Sequence, residues 1–208
     1  MNKEQLKLYL VTDRGIAGKR DIADIVLEAV QGGVTMVQLR EKNISTREFV
    51  ELAVKLKKIL APYDVPLIIN DRVDVAVASG ADGVHIGQSD MPYDLARKLL
   101  GPEKTIGLSV ESLQDVRAAN GMDVDYIGVS PVFATPTKTD TAEPFGLKGL
   151  ADAVRESVHP AVGIGGINLS NAADVIRCGA DGIAVVSAIL CADNAEKAAS
   201  DLICSMGR

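Results

Sequence analysis

Two aspartates each sit just past a short apolar run. Pro66–Ile69 leads into Asn70-Asp71, and Gly83–Ile86 leads into Gly87-Gln88-Ser89-Asp90. Two converging carboxylates, rather than a full cage of ligands, suit Mg2+, which completes its shell with water and substrate phosphate. Loop aspartates more often close turns and cap helices, so the pair matters only if the fold brings Asp71 and Asp90 together. A second group is cationic. In Gln38-Leu39-Arg40-Glu41-Lys42 an extended backbone points Gln38, Arg40 and Lys42 to one side, with Arg as a planar fork for phosphate and Lys as a mobile point charge. The loop PVFATPTKTDTAEPF adds Thr135, Thr137 and Lys138, two hydroxyls and a cation. The last group lacks charge: Gly163-Ile164-Gly165-Gly166-Ile167 runs into Asn168, and Val186-Ser187-Ala188 opens a second helix start. Glycines let backbone N–H groups approach an anion, and helix starts favour negative charge.

Whether these groups meet depends on the elements that carry them. Apolar runs predict strands at Leu8–Thr12, Val34–Leu39, Pro66–Ile69, Gly83–Ile86, Thr105–Ser109, Tyr126–Ser130, Ala161–Ile164 and Gly182–Val186. Between and after them fall helical patterns: Ile22–Val30, a helix opened by a Ser45/Glu48 capping box, Val73–Ser79, Tyr93–Leu100, Leu113–Ala119 behind a Ser112/Asp115 cap, Leu147–Ser157, Ala172–Arg177 opened by Asn168/Ser170, and Ala195–Met206. Strict alternation over a chain of 208 residues predicts one (β/α)8 TIM barrel spanning residues 1–208. An internal echo supports it. QGGVTMVQ, SGADGVHI, NGMDVDYI and CGADGIAV each place a glycine, expected in the left-handed helix-ending conformation, before an even-numbered strand. In such a barrel the loops after the strands share one rim. That rim collects every group above, with Ser109 added at the end of the fifth strand.

Composition narrows the chemistry. With 47% hydrophobic but only 3% aromatic residues, the core is aliphatic, as parallel sheets prefer. A net charge of −6 argues against a general nucleic-acid binder, so any polyanionic ligand needs a local basic cluster. Cys178, Cys191 and Cys204 show no metal or disulfide spacing and read as reduced thiols packed on helix faces, as expected of a cytoplasmic protein. No apolar run is long enough for a signal peptide or a membrane span. The rim therefore has two anion-handling regions: Arg40, Lys42 and Lys138 around an Asp71/Asp90 metal, and a Gly166/Ser187 cup. The first suits a diphosphate and the second a monophosphate. Two phosphorylated ligands face to face suggest group transfer with pyrophosphate as leaving group. No Ser-His-Asp or Cys-His arrangement is evident, and the two histidines, His85 within a strand and His159 before Pro160, read as structural.

QLREK at 38–42, IND at 69–71, HIGQSD at 85–90, TPTK at 135–138, GIGGI at 163–167 and VVSAI at 185–189 together resemble the thiamine-phosphate synthase (thiamine-phosphate pyrophosphorylase) family, in order and over essentially the whole chain. The resemblance implies that 4-amino-2-methyl-5-(diphosphooxymethyl)pyrimidine and 4-methyl-5-(2-phosphooxyethyl)thiazole, or its carboxylated form, join to give thiamine phosphate and pyrophosphate. Ionisation to a pyrimidine-stabilised methylene cation would precede capture by the thiazole nitrogen. It implies that the pyrimidine diphosphate lies against Gln38, Leu39, Arg40, Glu41, Lys42, Asn70, Ser109 and Lys138, with Arg40, Lys42, Ser109 and Lys138 acting in catalysis. The thiazole phosphate would lie against Thr135, Pro136, Thr137, Gly166, Val186 and Ser187, and Asp71 and Asp90 would hold Mg2+. Barrels of this sort are often dimers, so a homodimer is possible. A related thiazole tautomerase lacks the second metal acid and uses a histidine after the fifth strand; here Asp90 is present, and Ser109-Val110-Glu111-Ser112 carries Glu. A phosphosugar- or indole-type barrel enzyme sharing only the glycine cup would not need Asp71, Asp90 and QLREK together; a non-enzymatic phosphate-ligand sensor is the third alternative.

Overall fold

Short runs rich in Val, Ile and Leu become the staves of a closed parallel barrel, ordered β1 to β8 around the ring. The strands are β1 (Leu8–Val11), β2 (Met36–Leu39), β3 (Leu67–Asn70), β4 (Gly83–Ile86), β5 (Thr105–Val110), β6 (Tyr126–Val129), β7 (Ala161–Ile164) and β8 (Gly182–Val185). The computed structural model describes residues 1–135 and 143–207; the segment predicted to carry Pro136, Thr137 and Lys138 therefore lies outside the described residues. Helices α1 (Ile22–Gln31), α2 (Thr46–Leu60), α3 (Val73–Ser79), α4 (Tyr93–Leu100), α5 (Leu113–Ala119), α6 (Gly146–Glu156) and α7 (Ala172–Arg177) follow β1 to β7 in turn. After β8 come a single turn, α8 (Ser187–Leu190), and then the closing helix α9 (Ala195–Met206). The sequence pattern anticipated a helix start at Ser187 but counted only the closing helix, because four residues are too few to show a period.

The pleat divides each stave. Leu8, Leu10, Val37, Leu39, Leu67, Ile69, Val84, Ile86, Ile106, Ile127, Val129 and Ile183 face the helices and form the large outer core. Tyr9, Val11, Met36, Ile68, Tyr126, Val162 and Ala184 face the axis and form a smaller inner cluster. This alternation decides which side chains reach the rim.

The internal echo has a structural counterpart at the opposite pole. Thr35, Asp82, Asp125 and Asp181 each stand just before an even strand and clamp the start of the odd strand before it. Thr35 Oγ1 accepts from Leu8 N at 2.9 Å, Asp82 Oδ2 from Leu67 N at 2.8 Å, Asp125 Oδ2 from Ile106 N at 2.8 Å and Asp181 Oδ2 from Ala161 N at 2.9 Å. In each case the same residue's own N–H donates back to the carbonyl of the residue it caps. A buried strand start would otherwise leave an N–H unsatisfied, so the repeat is a hydrogen-bonding device as well as a turn pattern. The glycine half of the expectation holds for Gly33, Gly80 and Gly179, which have positive φ, but not for Gly121, because α5 ends through Asn120 in right-handed backbone. The Ser45/Glu48 capping box forms in full, and Ser112 accepts from Asp115 N. Asn168 instead binds Ser170, and α7 begins behind Asn171. Cys191, just past the end of α8, and Cys204, within α9, are exposed rather than packed.

Candidate active site

One cavity of about 490 Å3 opens at the carboxyl ends of the strands. Gln38, Arg40, Lys42, Asn70, Asp71, Asp90, Ser109, Thr135, Gly166, Val186 and Ser187 all line it. The fold thus brings together every described residue assigned to a ligand or the metal except Leu39 and Glu41. Leu39 is fully buried among the outer core residues. The Glu41 side chain is 4% exposed and accepts from Arg14 Nε at 3.2 Å. Both sit at the odd positions of QLREK, and the same alternation that presents Gln38, Arg40 and Lys42 turns them away. Neither the Leu39 nor the Glu41 side chain lines the cavity. Burial, opposed by the Arg14 charge and hydrogen bond, leaves the Glu41 carboxyl above its usual range.

The cations arrive pre-paired. Arg40 Nη1 donates to Asp13 Oδ2 at 2.6 Å, tying the end of β2 to the loop after β1, and the Arg40 N–H donates to buried Thr12 Oγ1 at 3.0 Å. Lys42 Nζ lies 2.6 Å from Asp71 Oδ2. Asp71 has φ of +60°, held by an Arg72 N–H to Asn70 C=O turn of 2.7 Å and by its own N–H donating to His85 C=O at 2.8 Å. That region is costly for a side chain with a Cβ, although Asp tolerates it better than most. The strained turn aims the carboxylate into the cavity.

Asp90 curls back so that its Oδ2 accepts from Gly87 N at 2.7 Å, which brings its carboxyl into hydrogen-bonding reach of Asp71. Their acidities split as expected for two carboxyls sharing one site. For Asp90, burial and then the neighbouring Asp71 outweigh the Gly87 N–H and hold the carboxyl above its usual range. For Asp71, burial also raises the carboxyl, but the Lys42 hydrogen bond and charge and the hydrogen bond shared with Asp90 together carry it below that range. A close acid pair with one ammonium against it is a place where a small divalent cation reduces repulsion. Among the described residues no third carboxylate, His or Cys joins the pair. The donor set therefore fits Mg2+ completed by phosphate and water better than a protein-only cage.

Across the cavity, Gly165 and Gly166 both have positive φ, at +101° and +65°. A Cβ on Gly165 would meet Pro131 Cβ at 2.8 Å, and one on Gly166 would meet the Ala134 carbonyl oxygen at 2.8 Å. Only glycine fits this turn, which packs under the loop after β6 and exposes backbone rather than side chains. The Gly166 carbonyl is engaged from behind by Asn171 Nδ2 at 3.0 Å, and Val186-Ser187 opens α8 alongside. An acid–base pair cluster on one wall and a glycine-lined turn on the other can hold two anionic groups at once.

A family model described as thiamine monophosphate synthase matches residues 8–189. The chain belongs to that family, one of transferases. The thiamine-phosphate synthase of Albidiferax ferrireducens is 58% identical over 191 residues, 92% of this chain and 87% of that one. The thiamine-phosphate synthase of Clostridium novyi is 49% identical over 196 residues, covering 94% and 96% of the two chains. Among solved structures, thiamine phosphate pyrophosphorylase from Pyrococcus furiosus superposes with a TM-score of 0.91 at 40% identity, over 99% of this chain and 97% of that one. Within this thiamine monophosphate synthase framework, three cavity residues escaped the sequence reading. Tyr9, His85 and Tyr126 face the axis and line the cavity floor. The signal was present: each occupies an inward position of its strand, in LYLV, GVHI and YIGV. Gly107 makes room for two of them, since a Cβ there would lie 2.2 Å from Tyr126 Cζ and 2.5 Å from His85 Nδ1.

Proposed function

We propose that this protein couples 4-amino-2-methyl-5-(diphosphooxymethyl)pyrimidine to 4-methyl-5-(2-phosphooxyethyl)thiazole, or its carboxylated form, releasing thiamine phosphate and pyrophosphate. The observation that carries the reading is the two-walled cavity, with acids and cations on one side and the Gly165-Gly166/Ser187 turn on the other. The family membership and the names of its relatives support it. Asp71 and Asp90 would hold Mg2+, which would supply charge neutralisation for the departing pyrophosphate. Lys42 leaves Asp71 for the diphosphate, joined by Arg40 and by Lys138, while Gln38, Asn70 and Ser109 bind the polar edge of the pyrimidine ester. Thr135, Thr137, Gly166, Val186 and Ser187 hold the thiazole monophosphate. This reaction calls for no covalent enzyme intermediate. The chain's residues orient the two ligands, stabilise charge on the leaving group and exclude water while the methylene cation forms and the thiazole nitrogen captures it. The tautomerase alternative is disfavoured by Asp90 beside Asp71 and by Glu111, rather than His, on the cavity wall after β5. The test is direct. Purified protein with both substrates and Mg2+ yields thiamine phosphate and pyrophosphate in equal amounts. A change in the thiazole phosphate alone, without pyrophosphate release, would point to the tautomerase.

A further inference from the structure

A continuous chain of hydrogen bonds, buried up to its last, half-buried link, crosses the cavity floor. Gln38 Nε2 donates to Tyr9 Oη at 2.7 Å. The Tyr9 and Tyr126 hydroxyls are 2.9 Å apart, Tyr126 Oη is 3.0 Å from His85 Nδ1, and His85 Nε2 is 2.9 Å from Ser109 Oγ. The two phenols are 1% and 0% exposed, and burial raises both well above the usual phenol value, so each keeps its proton. A buried hydroxyl has one proton to donate, and here its partners all lie along the chain. Gln38 sets the direction. Because its NH2 donates to Tyr9, Tyr9 must donate to Tyr126 and Tyr126 to His85 Nδ1. That nitrogen is then an acceptor, the ring proton lies on Nε2, and Nε2–H donates to Ser109 Oγ. The Ser109 proton is left for the cavity.

We propose that Tyr9, Tyr126 and His85 are positioning residues that fix Ser109 as a hydrogen-bond donor to the bound substrate. The partner chemistry follows: Ser109 selects a ligand that presents an acceptor at that point, a ring nitrogen or an ester oxygen, and rejects one that presents N–H. This rests on the reading of the site as binding the pyrimidine diphosphate, but the relay itself can be tested without substrate.

The chain has two histidines, so long-range 1H–15N spectra of the 15N-labelled protein resolve both side chains, and the His85→Gln variant assigns them. The expected result is a neutral His85 ring protonated on Nε2. A proton on Nδ1, in a neutral or a charged ring, would overturn the relay whatever the activity. The functional arm is a double-mutant cycle. Tyr126→Phe should lower kcat/KM for the diphosphate substrate about tenfold, the scale of one misdirected hydrogen bond, and leave KM for the thiazole phosphate unchanged. In a Ser109→Ala background the same change should cost nothing further. Additive losses would mean that Tyr126 acts other than through Ser109 and would refute the positioning role. Should Tyr126→Phe fail to fold, Tyr9→Phe replaces it in the cycle with the same expectation. The Nε2–H tautomer without any turnover would overturn the proposed reaction and leave the relay standing.

Discussion

Replacing Asp90 by Asn separates the cost of the acid pair from its use. Asn keeps an oxygen for the Gly87 N–H, now 2.7 Å from Asp90 Oδ2, so the loop after β4 need not move. What disappears is one of two carboxyls in hydrogen-bonding reach of each other. Two unit charges about 4 Å apart interact by about 4 kcal/mol at an effective dielectric of 20. Lys42 against Asp71 and the access of water at the rim reduce the net effect to the scale of an exposed pair, about 0.5–1 kcal/mol. For a chain of this size that is a rise in Tm of about 1–4 °C at neutral pH without metal, measurable by calorimetry. The pH dependence has a definite sign. The folded Asp90 carboxyl holds its proton to higher pH than the unfolded one, so it destabilises the fold once pH exceeds the unfolded value of about 3.9, and the penalty is relieved as pH falls through its raised folded value. The advantage of the Asn variant should therefore be largest near pH 7 and vanish below about pH 4. Asp71, shifted the other way, contributes stability above about pH 3.9 that is lost on further acidification. Turnover should fall by a factor of about 100–1000 at saturating Mg2+, the scale of removing one group that stabilises leaving-group charge. Activity within tenfold of the parent, or a lower Tm at pH 7, would refute the reasoning.

Other expectations follow from the opposite wall and the far pole. Gly166→Ala forces a Cβ into left-handed backbone and to within 2.8 Å of the Ala134 carbonyl oxygen; it should cost about 2–4 kcal/mol of stability by denaturant titration and raise KM for the thiazole phosphate. Ser187→Asp sets a negative charge at the opening of α8 beside the same turn; calorimetric affinity for the thiazole phosphate should drop at least tenfold, and an unchanged affinity would remove the phosphate from this wall. Asp82→Ala uncaps the buried start of β3 and should lower stability by about 1–3 kcal/mol, with kcat unchanged because the site is at the other end of the barrel. Asp82→Asn, which keeps the acceptor oxygen, should recover most of that loss.

The alternation of apolar runs with helical periods, and the fourfold echo before the even strands, sufficed to predict the barrel, because period and turn chemistry are local properties of the chain. The same locality made Arg40 and Lys42 readable as one face of an extended segment, and Gly165-Gly166 as a turn open to an anion. It also set the limit: a string of letters does not show that a lone His in β4 and tyrosines in β1 and β6 converge. The splitting of Asp71 and Asp90, the pairing of Arg40 with Asp13 and the directed chain from Gln38 to Ser109 depend on barrel closure. Closure places β1, β2, β4, β5 and β6 side chains within 3.0 Å of one another across long sequence separations. Hydrogen bonding and charge coupling act over a few ångströms, so residue type and order determined which groups the rim could carry, and only the closed tertiary structure decided which of them touch.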